Sequence, residues 1–277
     1  MRGLSPGSGV VMDPFEAFKA VQREGWAHFA PLEMVTIPAA AKLVAHAGIR
    51  AGHRVADLAC GTGVVAVTAA RLGARVTGLD LTPELLTRAR QNAATAGVEI
   101  DFHEGDVEYL PFPDVAFDVV VSQFGHMFAP RPDVALAEML RVLKPGGTLA
   151  FSTWPPELFT GRMFTMVSQY VGPPPSPAPA APPLWGDPTV VRERLGAVVR
   201  DIVFKRDDMN VATLSPQHHR GLTERTAGPV RQLVERLTAS DPDKLATFRR
   251  EYDELAAQYL EQNILRQGYL ITRCTKI

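Results

Sequence analysis

Between residues 54 and 153 the apolar positions change rhythm every few residues. Short β-rich runs at 54–58, 75–80, 100–104, 117–122 and 147–153 alternate with stretches of helical period at 63–72, 83–96 and 133–142. The last of these helices carries Leu136, Met139, Leu140 and Leu143 at i, i+3, i+4 and i+7, an apolar stripe suited to packing on a sheet. Strands separated by single helices, with no hairpin turns between them, predict right-handed crossovers. The fold class is therefore α/β, a mostly parallel sheet with helices on both faces. Asp118-Val-Val-Val121 is too apolar for a strand with one wet face and predicts a central one.

The flanks are less regular. Asp13-Pro14-Phe15-Glu16 offers a cap, a proline at the first helical position and an acid, so a helix is expected over 14–24, ending near Gly25. A second is expected over 38–47, with Pro38 at its start. After Trp154 come a helix over 157–171 and then Gly172-PPPSPAPAAPP, which holds seven of the 23 prolines in 173–183. That run predicts polyproline-II or irregular chain. Asp187-Pro188 caps a short helix ending at Gly196. A strand over 198–206, helices over 229–238 and 243–262 and a last strand over 264–275 complete the chain. His218 and His219 read as a solvated loop pair, and His46, His53 and His103 as surface residues. Tyr252 and Tyr259 share a helical stripe that is most simply core.

The chain has 277 residues with 29 basic against 30 acidic, a balance that argues against a nucleic-acid partner. No apolar run approaches the ~18 residues of a membrane span, and MRGLSPGSGVVMDPF lacks a signal peptide's apolar centre, so a cytoplasmic location is expected. Cys60 and Cys274 are too few for a disulfide framework or a structural zinc site. Cys60 reads as a packed small residue, and no metal is expected.

Chemistry concentrates in Val55-Ala-Asp57-Leu-Ala-Cys-Gly61-Thr-Gly63-Val-Val-Ala66, where a strand enters a glycine turn that opens a helix. Such a turn lets backbone N–H groups approach a ligand closely. By itself Gly61-x-Gly63-x-x-Ala66 is a weak dinucleotide signal. Asp57, inside the strand, suits a ligand ammonium better than a pyrophosphate. Asp80 closes the second strand, where a carboxylate can accept both hydrogen bonds of a ribose diol. Asp106 follows the third strand, where it can reach an adenine edge. An amino-acid ammonium, a ribose diol and an adenine without phosphates together describe S-adenosylmethionine.

The segments VADLACGTG (55–63), GLDLTPELL (78–86), EGDVEYLPFPDVAFDVVVSQ (104–123) and ALAEMLRVLKPGGTLAFSTW (135–154) resemble class I S-adenosylmethionine-dependent methyltransferases, of the type related to ubiquinone and menaquinone C-methyltransferases. The resemblance implies a Rossmann-like seven-stranded sheet in the order 3-2-1-4-5-7-6, with the last strand antiparallel. It also gives Asp57, Ala59, Gly61 and Gly63 to the methionine part of the cofactor and Asp80 to the ribose. Leu81 is placed against the adenine face, Asp106 and Val107 at the adenine edge, and Ser122, Gln123 and Phe124 beside the sulfonium. Leu143-Lys-Pro-Gly-Gly147 is expected to be a structural turn.

The resemblance frames the rest of the chain as one methyltransferase domain over 1–277. It has N-terminal cap helices in 13–50, a cofactor core in 53–154, substrate-cap insertions in 155–198 and 207–262, and the last strand in 264–277. His126 and His28 are the candidate catalytic residues, as neutral imidazoles able to accept an acceptor's proton. Trp26, Phe29, Phe124, Phe128 and Trp154 are the aromatic candidates for the cationic sulfur. The expected acceptor is a small or medium, apolar or aromatic molecule, because the cap sequence is rich in such side chains. A homodimer is a candidate assembly. The alternatives are a nicotinamide-dependent oxidoreductase built on the same glycine turn, and a protein that binds S-adenosylmethionine without turnover.

Overall fold

In a computed structural model that describes residues 13–174 and 176–277, strands β1 (Arg54–Leu58), β2 (Arg75–Asp80), β3 (Asp101–Glu104) and β4 (Phe117–Gln123) form a parallel half-sheet. They alternate with α3 (Val64–Arg71) and α4 (Pro83–Ala96), and α5 (Pro132–Val142) leads into β5 (Leu143–Thr153). Val55 lies opposite both Val76 and Val119, so apolar rows run across strands that are covered on both faces. The order is β3-β2-β1-β4-β5-β8-β6, with β6 (Val199–Ala212) and β8 (Ile264–Lys276) closing the sheet and the two-residue β7 (Leu260–Glu261) paired beside β8. Without that short strand the order is the expected one, and β8 is antiparallel to both neighbours.

Several boundaries differ from the sequence expectation. Helix α1 (Glu16–Trp26) runs through Gly25, which crosses Gly228 so closely that a Cβ on Gly25 would lie 3.2 Å from the Gly228 Cα. Helix α2 (Glu33–His46) begins five residues before Pro38, because the 3-10 turn Ala30–Leu32 feeds straight into it and Pro38 removes only one backbone bond from its interior. Leu143-Lys-Pro-Gly-Gly147 is not a turn before the strand but a bulge within β5. Phe117 pairs with Leu143 while Val119 pairs with Thr148, and Gly146 takes φ +75° to absorb the extra residues.

After β5 come α6 (Phe159–Tyr170), irregular chain, a 3-10 turn at Pro182–Gly186 and α7 (Pro188–Leu195), with the expected Asp187 cap accepting from Thr189 N. The turn buries Trp185, whose carbonyl accepts from Thr153 Oγ1 at 2.9 Å. Pro175, and the N-terminal residues on which the signal-peptide reading rests, lie outside the described residues.

Strand β6 continues six residues beyond the expected 206 and leads to α8 (Pro216–Thr226), α9 (Gly228–Ser240) and α10 (Pro242–Ala257). Helix α10 stops at Ala257, short of the expected 262, because Gln262 and Asn263, at φ +50° and +62°, turn the chain from β7 into β8. Helix α8 corrects the solvated-loop reading of His218 and His219. Ser215 caps it through His218 N and Pro216 takes its first position, while His219 is only 3% exposed. Helices α6, α9 and α10 form a second apolar core against Val211 and Leu265 at the far ends of β6 and β8, and Tyr252 is buried within it.

Candidate functional site

A single cavity opens at the carboxyl ends of β1, β2 and β4 and continues beneath α1, α6 and α8. Its floor begins at Asp57, the residue before the end of β1. Asp57 Oδ2 accepts from Ala66 N at 2.9 Å, which anchors the start of α3, while Oδ1 is buried with no protein partner. Burial, with Asp80's charge adding to it and the Ala66 N–H opposing it, pushes the Asp57 carboxyl up to about 8. Ala59, at φ +51°, turns the chain out of the strand, and Gly61, at φ +55°, presents open space where a Cβ would project. Gly63 plays a different part: a Cβ there would stand 3.0 Å from Ala89 and 3.1 Å from Phe102. Its bareness lets α3 pack on α4 and β3.

Asp80 ties this turn to the next one. Its Oδ2 accepts from Gly61 N at 2.7 Å and its Oδ1 from Thr82 N at 2.8 Å, leaving lone pairs on both oxygens. Burial raises its pKa against those backbone bonds. Beyond β3, Asp106 accepts from Glu108 N at 2.9 Å and faces Lys19 Nζ at 2.7 Å. Lys19 also meets Glu108 at 2.6 Å and Asp13 at 2.8 Å, so three carboxylates converge on one ammonium. Burial alone would lower the Lys19 pKa, but these carboxylates outweigh it and raise it.

At the end of β4, Gln123 Nε2 donates to Thr36 O at 2.9 Å while its Oε1 is buried without a partner. Phe124 sits at φ +61°, and its ring stacks on Trp154 at 4.0 Å between centroids. Left-handed non-glycine residues at both Ala59 and Phe124 concentrate backbone strain at this one mouth. A Cβ on Gly125 would lie 2.5 Å from that of Ala59, so the two loops lock together.

The cavity therefore gathers Asp57, Ala59, Gly61, Asp80, Leu81, Asp106, Val107, Gln123 and Phe124. Four sequence candidates fall elsewhere. Gly63 is a packing position, and Ser122, outside the lining, accepts through Oγ from His126 N at 3.1 Å. The His126 ring lies outside the lining, fully buried between Phe151 and Trp185 at 4.7 and 4.8 Å, and burial drives its pKa down to about 3. His28 is exposed, although its neighbours Trp26 and Phe29 do line the cavity.

Beyond Phe124 the wall turns apolar, with Trp26, Phe128, Phe159, Met163 and Phe164 among its residues. Polar side chains interrupt it at Thr160 and in a cluster around His219. His219 stands beside Thr223 and Gln267, and burial holds its pKa down at about 4. Sequence reasoning missed Lys19 and His219. Only the Ser215-Pro216 cap pointed to the helix that carries the histidine. Chemically, the floor can receive a cation and a diol, and the far half an apolar molecule with one polar handle.

Comparison with known proteins finds methyltransferase relatives for the core. Residues 56–151 match the model of a methyltransferase domain family. An uncharacterized protein of Mycobacterium tuberculosis is 36% identical over 265 residues, covering 94% of this chain and 96% of that protein. The demethylmenaquinone methyltransferase of Thermus thermophilus is 43% identical over 109 residues, 39% of this chain and 50% of that enzyme. A Bacillus halodurans structure, solved as a candidate methyltransferase, shares the fold at a TM-score of 0.57 and 21% identity, covering 86% of this chain and 98% of its own.

Proposed function

Since the chain belongs to the class I S-adenosylmethionine-dependent methyltransferases, we propose that it methylates a small or medium, apolar or aromatic molecule held in the far half of the cavity. The observation that carries the reading is the continuity of one cavity from the unpartnered Asp57 Oδ1 to the apolar wall under α1, α6 and α8. The floor suits the cofactor. Asp57 would take its ammonium and the open face at Gly61 its methionine backbone. Asp80 would take the ribose hydroxyls with its remaining lone pairs, and Leu81, Asp106 and Val107 would border the adenine. The nicotinamide-dependent alternative finds no support among the relatives.

When bound, the cofactor supplies a methyl group made electrophilic by a cationic sulfur. The chain's part is to align the acceptor and keep water out, which can supply much of the acceleration of a displacement reaction. Phe124 and Trp154 both line the cavity, and an aromatic face turned away from their mutual stack favours positive charge there. We read the chain as one domain in which α1, α2 and α6 to α10 cap the core at 53–154. Among the described residues no helix is long and apolar enough to cross a membrane.

A panel of small phenols, alcohols, amines and thiols incubated with a labelled methyl donor tests the proposal. Label is expected on an aromatic or apolar member, and label found only on protein or nucleic acid overturns it.

The raised Asp57 carboxyl adds a prediction with a definite sign. Below about pH 8 the empty site holds the protonated acid, whereas a ligand ammonium binds its ionised form. Affinity for S-adenosylhomocysteine should therefore rise roughly tenfold per pH unit from 6 to 8 and level off above, with a proton released on binding. Calorimetry in two buffers of unlike ionisation enthalpy measures both, and Asp57→Asn should flatten the slope. A flat native profile would exclude Asp57 as the ammonium's partner.

A further inference from the structure

His219, in the largely apolar half of the cavity, has a proton arrangement that its neighbours fix. Thr223 Oγ1 lies 3.0 Å from the carbonyl of His219, a group that only accepts, so the threonine proton is committed there. The Tyr252 hydroxyl, 2.9 Å from Thr223 Oγ1, must then be the donor of that pair. With its one proton spent, Tyr252 can only accept from His219 Nδ1, 3.0 Å away. Nδ1 therefore carries the histidine's proton, and Nε2 presents a lone pair.

The two edges of the ring face different surroundings. Tyr252, behind Nδ1, is fully buried in the helical core and does not line the cavity. Gln267, whose Nε2 lies 3.1 Å from His219 Nε2, is part of the lining. It projects from β8 opposite Met209 of β6, another lining residue. Phe159 meets the imidazole edge-on at 5.4 Å and Tyr252 lies nearly parallel to it, so the ring is fixed by packing as well as by hydrogen bonds. A rigid acceptor thus faces a mostly apolar wall, and among the described residues its lone pair is held by a side-chain amide with a second N–H to turn elsewhere.

Resting on the assignment of the far half of the cavity to the methyl acceptor, we propose that the acceptor carries a hydrogen-bond donor, a hydroxyl or an N–H, that His219 Nε2 receives in place of the Gln267 amide. His219 is thereby a specificity-determining residue. It selects aromatic or apolar molecules with one protic group over those without, because burying the imidazole lone pair against a hydrocarbon leaves it unsatisfied. Tyr252 and Thr223 act through it as positioning residues, since they hold Nδ1 protonated and so keep Nε2 free to accept.

The test uses the full chain saturated with S-adenosylhomocysteine and two probes of nearly equal size, 2-naphthol and 2-methylnaphthalene, with binding followed by calorimetry. The native protein should bind the naphthol about tenfold more tightly. His219→Phe should erase the preference, and His219→Gln, whose Oε1 can still accept, should keep most of it. Both variants should bind S-adenosylhomocysteine as the native chain does, which reports an intact fold. Equal binding of the two probes by the native protein, or an undiminished preference in the phenylalanine variant, overturns the role of His219. Binding of neither probe overturns the apolar-acceptor assignment and this proposal with it.

Discussion

Replacing Asp80 by alanine is expected to weaken S-adenosylhomocysteine binding by about a hundredfold or more. Hydrogen bonds to a charged group contribute about 1.5–3 kcal/mol each, so losing two from a ribose diol removes roughly 3 kcal/mol or more. A second loss adds to the first. Asp80 holds Gly61 N and Thr82 N, and without it the glycine turn is free to leave the position in which its open face meets the ligand. Asp80→Asn separates the two effects, because its one carbonyl oxygen can keep a backbone bond while the diol meets an amide. The alanine variant should therefore lose affinity and some thermal stability, and the asparagine variant mainly affinity. Calorimetric affinities within threefold of the native value for both variants would remove Asp80 from the binding site.

The regions legible in the sequence are those where local pattern and tertiary surroundings agree. Strands β1 to β4 and helices α3 to α5 stand within one or two residues of expectation. Each strand there is either doubly covered, and so continuously apolar, or capped by a glycine or proline signal. Asp57, Asp80 and Asp106 were legible for the same reason, because each sits at a strand end whose position the pattern fixes. Helix α8 was not. Its sequence, PQHHRGLTERT, has one large apolar residue, so it lacks the stripe that marks a helix, and it is held instead by hydrogen bonds that join His219 and Thr223 to Tyr252. His126 illustrates the opposite error. It stands three residues past β4, but a side chain's direction after a left-handed residue such as Phe124 cannot be taken from spacing. The ring turns into the core between Phe151 and Trp185, and a different histidine, 93 residues on in the chain, faces the cavity.

The attachment of α1 to the core was the least legible feature of all, since it depends on residues far apart in sequence. Glu108, fully buried, accepts from Lys19 Nζ at 2.6 Å and from Arg131 at its backbone N, 2.7 Å, its Nε, 2.9 Å, and its Nη2, 2.6 Å. Asp13 completes the group through Lys19 and Arg131, which hold its carboxyl below the usual carboxylate range. Glu108→Ala removes the buried carboxylate that joins the two cations, leaving Lys19 with Asp13 and Asp106 and Arg131 with Asp13. Removing one member of a buried pair costs about 3–5 kcal/mol, far more than the ~0–1 kcal/mol of a surface pair such as Arg200–Asp201. The variant should therefore unfold at a clearly lower urea midpoint, while Asp201→Ala should shift it little. Glu108→Gln, which keeps the shape and one acceptor oxygen, should fall between them. Function should follow stability here, because Lys19 also faces Asp106 on the cavity wall, so loosening α1 opens the cavity at Asp106 and should weaken S-adenosylhomocysteine binding. A native midpoint for Glu108→Ala would show that α1 is held by its packing on α9 at Gly25 and Gly228 rather than by the charges beneath it.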